Sequence, residues 1–287
     1  MIFGGPFKDV VIDPALQAKN RARPMPDRRY VIHFTPRSGS SWLTEVLTSA
    51  RRLGRPNEWF NPSFIPNIAN AVQACNLEDY VEAIQRQGAT RGLFGAEVTA
   101  HQVIAVFGTH TKFHRHFADA RDFWLIRKDI VLQAVSLYKM VSTGVSHRPS
   151  ATTEAVQTAD TRFDYDVREI ERWIRHIWVA ETETEAYFRA HDRTPVRLCY
   201  EILTRHSAAQ VQTFFARALH MEERFKDEVK TGHDKIRTDK NQAFADRFRA
   251  ERPAFVAEVA AERAARLRLL LPLKHARLAV EPQGPAA

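Results

Sequence analysis

Cysteine is almost missing from this chain. Only Cys75 and Cys199 occur in 287 residues, far apart and in no CxxC or Cys/His ligand spacing, which argues against a disulfide framework and a structural zinc site. No run approaches the ~18 consecutive apolar residues of a membrane-spanning helix. The opening MIFGGPFKDVVIDP lacks the basic region and long apolar stretch of a secretory leader. Reduced cysteines without a leader read as a cytoplasmic protein. Lysine is scarce too: 10 of the 42 basic residues are Lys, leaving 42 − 10 = 32 Arg. Against 34 Asp+Glu the formal charge is 42 − 34 = +8 with His neutral. Arginine binds phosphate through a planar fork, so this surplus suits a polyanionic ligand, although a solvated Arg-biased surface gives the same arithmetic. With 44% apolar and 26% charged residues, a collagen-like or wholly disordered chain is excluded, and the length admits one embellished domain or two.

Residues 1–27 carry Pro6, Pro14, Pro24 and Pro26 with no sustained period and read as an arm lying on the domain or partly disordered. The aromatic and β-branched run from Arg29 to Thr35 predicts a buried strand, and Trp42-Leu-Thr-Glu-Val-Leu47 begins a helix capped by Ser40 or Ser41. Residues 54–70, rich in Pro, Asn and aromatics, read as a packed loop facing a ligand. Further helices are expected near 77–87, 100–107, 129–143 and 165–190, and strands near 92–99, 122–126 and 195–200. Another helix should run to about 220, and residues after 241 read as helical and charged. Asp129 should sit in the first turn of its helix, where it complements the dipole. Strands alternating with helices predict an α/β protein whose parallel sheet is covered on both faces. We divide the chain into the arm, a domain over 28–252, and a C-terminal helical extension and tail over 253–287.

The strongest local signal is Thr35-Pro-Arg-Ser-Gly-Ser-Ser-Trp42, between a strand and a helix. Small residues let backbone N–H groups converge, and the helix N-terminus adds a favourable dipole, so the segment reads as an anion cradle. The GxxxxGK[ST] pattern is absent, and a magnesium-dependent nucleotide hydrolase is disfavoured.

TPRSGSSW resembles the 5′-phosphosulfate loop of sulfotransferases, usually written TYPKSGTTW, with Arg37 in place of its catalytic Lys. Together with Leu125-Ile-Arg-Lys-Asp-Ile-Val-Leu-Gln-Ala-Val-Ser-Leu-Tyr138 and Asp246-Arg-Phe-Arg249, it is similar to the bacterial trehalose 2-sulfotransferase type over roughly residues 29–250. The resemblance implies a three-layer, P-loop-like fold with a central, mainly parallel sheet flanked by helices. It also implies transfer of a sulfuryl group from 3′-phosphoadenosine 5′-phosphosulfate (PAPS) to a carbohydrate or glycolipid hydroxyl, no metal, and a homodimer. Carried over residue by residue, Arg37, Ser38, Gly39, Ser40 and Ser41 would bind the 5′-phosphosulfate, while Arg127 and Ser136 would hold the 3′-phosphate. Arg237 matches the Arg that opens the family's C-terminal segment near the nucleotide.

For the general base, the family's loop carboxylate aligns with Glu58 in Arg55-Pro-Asn-Glu-Trp-Phe60, where Trp59 and Phe60 would shield it from water. Arg37 and Glu58 are therefore the expected catalytic pair. Arg55 replaces a carboxylate that would contact the sugar, and Glu97 stands where the family commonly has Lys, so acceptor specificity should differ. Arg55, Phe60, Glu97 and His101 are the expected acceptor-side residues; for His101 and its neighbour Gln102 a capping or packing role competes. His110, His114 and His116 include an i, i+2 pair that does not share a helix face, so no metal site is expected there. Two other functions compete: a nucleotide-binding relic without catalysis, and a nucleic-acid-binding protein. The second has the Arg surplus but no groove-reading motif, basic run or stacking-aromatic signature.

Overall fold

Among the described residues four strands carry the core: β1 (Arg28–Phe34), β2 (Leu93–Val98), β3 (Arg121–Ile126) and β4 (Val196–Cys199). The computed structural model describes residues 5–145, 158, 160–226 and 239–270. Every strand pairs parallel with its neighbours, in the order β2-β1-β3-β4. The strands read as near-continuous apolar runs because both faces are covered. Tyr30, Ile32 and Phe34 face a layer with Leu43, Val46 and Leu47, whereas Val31 joins Phe94, Ala96, Val98 and Trp124 on the opposite side.

The helices follow in chain order. Before β1 lies α1 (Pro14–Arg21), and after it α2 (Ser40–Ser49), α3 (Ile65–Val72) and α4 (Leu77–Gly88). Between β2 and β3 run α5 (Ala100–Phe107) and α6 (His110–Phe117); α7 (Ile130–Thr143) and the long α8 (Val167–Ala190) precede β4. After β4 come α9 (Tyr200–Leu203), α10 (Ala208–Ala218), α11 (Asp239–Glu251) and α12 (Pro253–Arg268). Helices α7, α8, α11 and α12 enclose a third apolar cluster around Phe163, Ile174 and Phe248.

Several local expectations are corrected. The arm contains α1, pinned by Asp13 N–H to Gln73 Oε1 at 2.5 Å and by Asn20 Nδ2 to the Val72 carbonyl at 3.3 Å. The loop after α2 gives way to α3, because Pro66 stands in the first turn, where its missing N–H costs nothing. Helix α6 went unread, since only Phe113 and Phe117 of its eight residues are buried. The helix expected to run to about 220 is two, α9 and α10. Asp129 is the N-cap of α7 and accepts from Leu132 N–H at 3.0 Å. Gly39, rather than Ser40 or Ser41, is the N-cap of α2, and it has no side chain with which to cap that end.

Candidate active site

The turns after β1, β2 and β3 leave the same edge of a parallel sheet, at the C-terminal ends of the strands, where ligands bind in open α/β folds. The turn after β1 is sharp, with Arg37 at φ +65° and Gly39 at φ +93°. A Cβ on Gly39 would lie 2.1 Å from the Tyr200 ring, so glycine is required both for its dihedral and for the ring packed on it. From α7, Gln133 Nε2 donates to Thr35 Oγ1 and to the Pro36 carbonyl, both at 2.8 Å, fixing the path of the turn. The first N–H groups of α2 have no intrahelical acceptor and carry the positive end of the dipole.

Arginines converge on this turn. Arg37 Nε donates to Ser136 Oγ at 3.1 Å, and Arg127 Nη1 donates to the Arg37 carbonyl at 3.1 Å. Arg127 also lies over the Tyr200 ring, 5.5 Å from its centre, with Glu201 3.9 Å from its Nε. Burial, and then the neighbouring Arg127 charge, lower the Arg37 pKa to about 10, so Arg37 stays protonated at neutral pH. The Ser38 hydroxyl is buried without a hydrogen-bond partner among the described residues. Two adjacent guanidiniums and an unpartnered hydroxyl beside a helix N-terminus form a site that an anion would complete. Ser40 is 6% exposed and Ser41 is exposed.

On the expected acceptor side, Glu58 Oε2 accepts from Asn61 Nδ2 at 3.0 Å and from Gln102 Nε2 at 2.9 Å. Gln102 also closes a capping box at the start of α5 with Thr99, so it both caps and orients Glu58. Glu97 is 3% exposed and bonds to the Thr44 hydroxyl. Arg55 is exposed. His101 stacks on His176 with ring centres 4.3 Å apart, and its Nε2 is buried without a partner among the described residues. Phe60 differs from its expected place: it is wholly buried among Tyr80, Phe107, Phe113 and Phe117, where its ring contributes packing to the core and reaches no surface. Arg237 lies outside the described residues.

The structure thus brings Arg37, Ser38, Arg127 and Ser136 to one turn and Glu58, Gln102, Glu97 and Thr44 to its neighbour. Sequence reading missed Gln133, Tyr200 and Thr44, whose roles rest on long-range packing with no local motif to mark them. Among the described residues no three His, Cys, Asp or Glu side chains are grouped to hold a metal ion, and no helix is long and apolar enough to cross a membrane. Cys199 is buried beside Glu201, and burial with that carboxylate pushes its thiol up to about 11, which makes it a poor nucleophile.

The fold and this edge define a parallel α/β protein with two arginines, Arg37 and Arg127, converging on the turn between its first strand and the following helix. The family model described as Stf0 sulphotransferase matches residues 29–251, and the chain belongs to that family. Among solved structures it is similar to a sulfotransferase from Alicyclobacillus acidocaldarius, with 17% identity, a TM-score of 0.49, and coverage of 84% of this chain and 96% of that one. A search of curated proteins returned no match.

Proposed function

We propose that the protein transfers the sulfuryl group of PAPS to a hydroxyl of a carbohydrate or glycolipid. The observation that supports this reading most directly is the convergence of Arg37, Arg127, Ser136 and the unpartnered Ser38 hydroxyl on the turn after β1. These residues fit a donor with two phosphate groups. Ser38, Gly39, Ser40, Ser41 and Arg37 would hold the 5′-phosphosulfate; Arg127 and Ser136 would hold the 3′-phosphate, with Arg237 expected nearby. The donor supplies an electrophilic sulfur and a 5′-phosphate leaving group.

Glu58 takes the proton from the acceptor hydroxyl as its oxygen attacks sulfur, and Arg37 balances the charge that builds on the leaving phosphate oxygen. The Asn61 and Gln102 donors leave Glu58 one oxygen, Oε1, to which neither is bonded. Arg55, Glu97 and His101 remain the proposed determinants of the acceptor. A homodimer and a cytoplasmic location belong to the same reading, and light scattering tests the first.

The decisive experiment titrates the purified protein, without magnesium, with 3′,5′-adenosine bisphosphate and with 5′-AMP. Tight binding of the bisphosphate and poor binding of AMP are expected, followed by transfer of labelled sulfate to members of an acceptor panel. Equal weak binding of both nucleotides would overturn the reading. Selective binding without transfer to any acceptor would leave a nucleotide-binding relic.

A further inference from the structure

Glu97 lies in a strand whose six residues are all buried, and it is itself 3% exposed. Its side chain reaches Thr44 of α2, and the same Thr44 oxygen lies 3.1 Å from the Pro56 carbonyl oxygen. A threonine hydroxyl has one proton, and a carbonyl has none to give. When Thr44 donates to Pro56, its contact with Glu97 Oε1 is a hydrogen bond only if Glu97 supplies the proton.

The surroundings favour that arrangement. Facing Glu97 are Thr44 from α2, the Glu58 carboxylate from the loop after α2, and the Tyr30 phenol from β1; none is a cation. Burial, and to a lesser degree the Glu58 charge, raise the Glu97 pKa to about 8 against the opposing Thr44 hydrogen bond. The backbone adds a second tie, because Glu97 N–H donates to the Asn57 carbonyl at 2.9 Å. Residue 97 therefore holds both residues that precede Glu58: Asn57 through its own N–H, and Pro56 through Thr44.

We propose that Glu97 is kept as a neutral carboxylic acid whose proton, relayed by Thr44, fastens the Pro56–Glu58 segment and leaves Glu58 as the one charged carboxylate there. Glu97 is then a positioning residue. Ionisation would turn the Thr44 proton toward Glu97, release the Pro56 carbonyl and set a second negative charge beside Glu58. A neutral Glu97 can stand next to the proposed base without competing with it for the acceptor's proton. The function assigned to Glu58 rests on the proposed reaction; the protonation of Glu97 does not.

Two measurements that need no substrate test it. Infrared difference spectra of wild type against Glu97→Gln at pH 6.5 should show one protonated-carboxyl band in the wild type, fading as pH rises through about 8. Hydrogen-exchange protection in the segment 55–60, taken relative to the intrinsic base-catalysed rate at each pH, should fall through the same range in the wild type, and the variants are compared on that same scale. Glu97→Gln, a neutral amide that can donate to Thr44, should show slow exchange at every pH. Thr44→Val, which removes the relay, should show fast exchange at every pH, with thermal melts confirming that both variants fold. An absent band overturns the neutral acid. A band without the exchange pattern overturns the relay. Should nucleotide binding and transfer fail while band and pattern hold, the proposed reaction is wrong and the Glu97 assignment stands.

Discussion

The Arg127 guanidinium donates to the main-chain oxygen of Arg37 at 3.1 Å, latching the turn after β3 onto the turn after β1. Each guanidinium stands in the other's field, and that repulsion adds to burial in lowering the Arg37 pKa to about 10. An anion between them would relieve both effects. Under the proposed function the pair is electrostatic complementarity for a polyanion, set by two strand ends.

Under the proposed function, Arg127→Ala removes a charged partner of the 3′-phosphate. A hydrogen bond to a charged group contributes about 1.5–3 kcal/mol, so affinity for 3′,5′-adenosine bisphosphate should fall on the order of 10- to 100-fold. Affinity for 5′-AMP should change by no more than a few-fold. Calorimetry measures both. Equal losses for the two nucleotides would mean that Arg127 serves only as the latch.

Glu58→Gln keeps the side-chain shape but removes the proposed proton acceptor. General-base contributions are about 10²–10⁴-fold, so kcat should fall by at least about 10² while nucleotide affinity is retained. Turnover near wild type would place the base elsewhere. The pH at which activity is compared should lie below about 8, where Glu97 remains protonated.

The strand-turn-helix cradle was legible in the sequence because its information is local: a β-branched run, four small residues and a helix start within fourteen positions, Arg29 to Trp42. Arg127 and Ser136 were legible for the same reason, one at a strand end and one in the next helix. What escaped was long-range or depended on polarity. Gln133 is 98 residues from the Thr35 hydroxyl that it holds, and no pattern along the chain couples such positions. Phe60 was read as lining a site because it neighbours Glu58, yet the reversal of chain direction after Glu58 turns it into an aromatic cluster with Phe107 and Phe113. Proline at the start of α3 looked like loop punctuation, and only the geometry distinguishes a first-turn Pro from a breaker.

Acid sensitivity should trace to Asp122. Burial alone would raise its pKa, but the hydrogen bond and charge of His33, with Arg193, outweigh it and hold the carboxylate below its usual range. At acid pH the unfolded chain therefore binds more protons at this site than the folded one. The stabilisation is present above the ordinary value of 3.8 and is lost as pH falls through the lower folded value. Denaturant melts between pH 2 and 7 should show a steeper acid decline for wild type than for Asp122→Asn, which is also less stable at pH 7. Parallel profiles would assign the acid decline to other carboxylates.

The C-terminal helix braces the same site from behind. Arg263, 2% exposed, donates from Nε and Nη2 to the wholly buried Glu181 at 2.8 Å each, from Nη1 to the Lys128 carbonyl at 2.9 Å, and from Nη2 to the Arg127 carbonyl at 2.6 Å. One fork thus ties α12, α8 and the end of β3 together, at the residue whose side chain faces the proposed 3′-phosphate. Breaking a buried pair by deleting one partner costs about 3–5 kcal/mol. Arg266, 2.9 Å from the same carboxylate, should hold the loss for Arg263→Ala toward the lower end. Arg263→Lys keeps the charge but cannot reproduce a planar fork onto four acceptor atoms, so its loss should be intermediate. Chemical denaturation measures both. Because Arg263→Ala removes the Nη2 donor to the Arg127 carbonyl, selectivity for the bisphosphate over 5′-AMP should narrow in that variant at temperatures where the protein remains folded. Reduced stability with unchanged selectivity would confine Arg263 to the packing of α12.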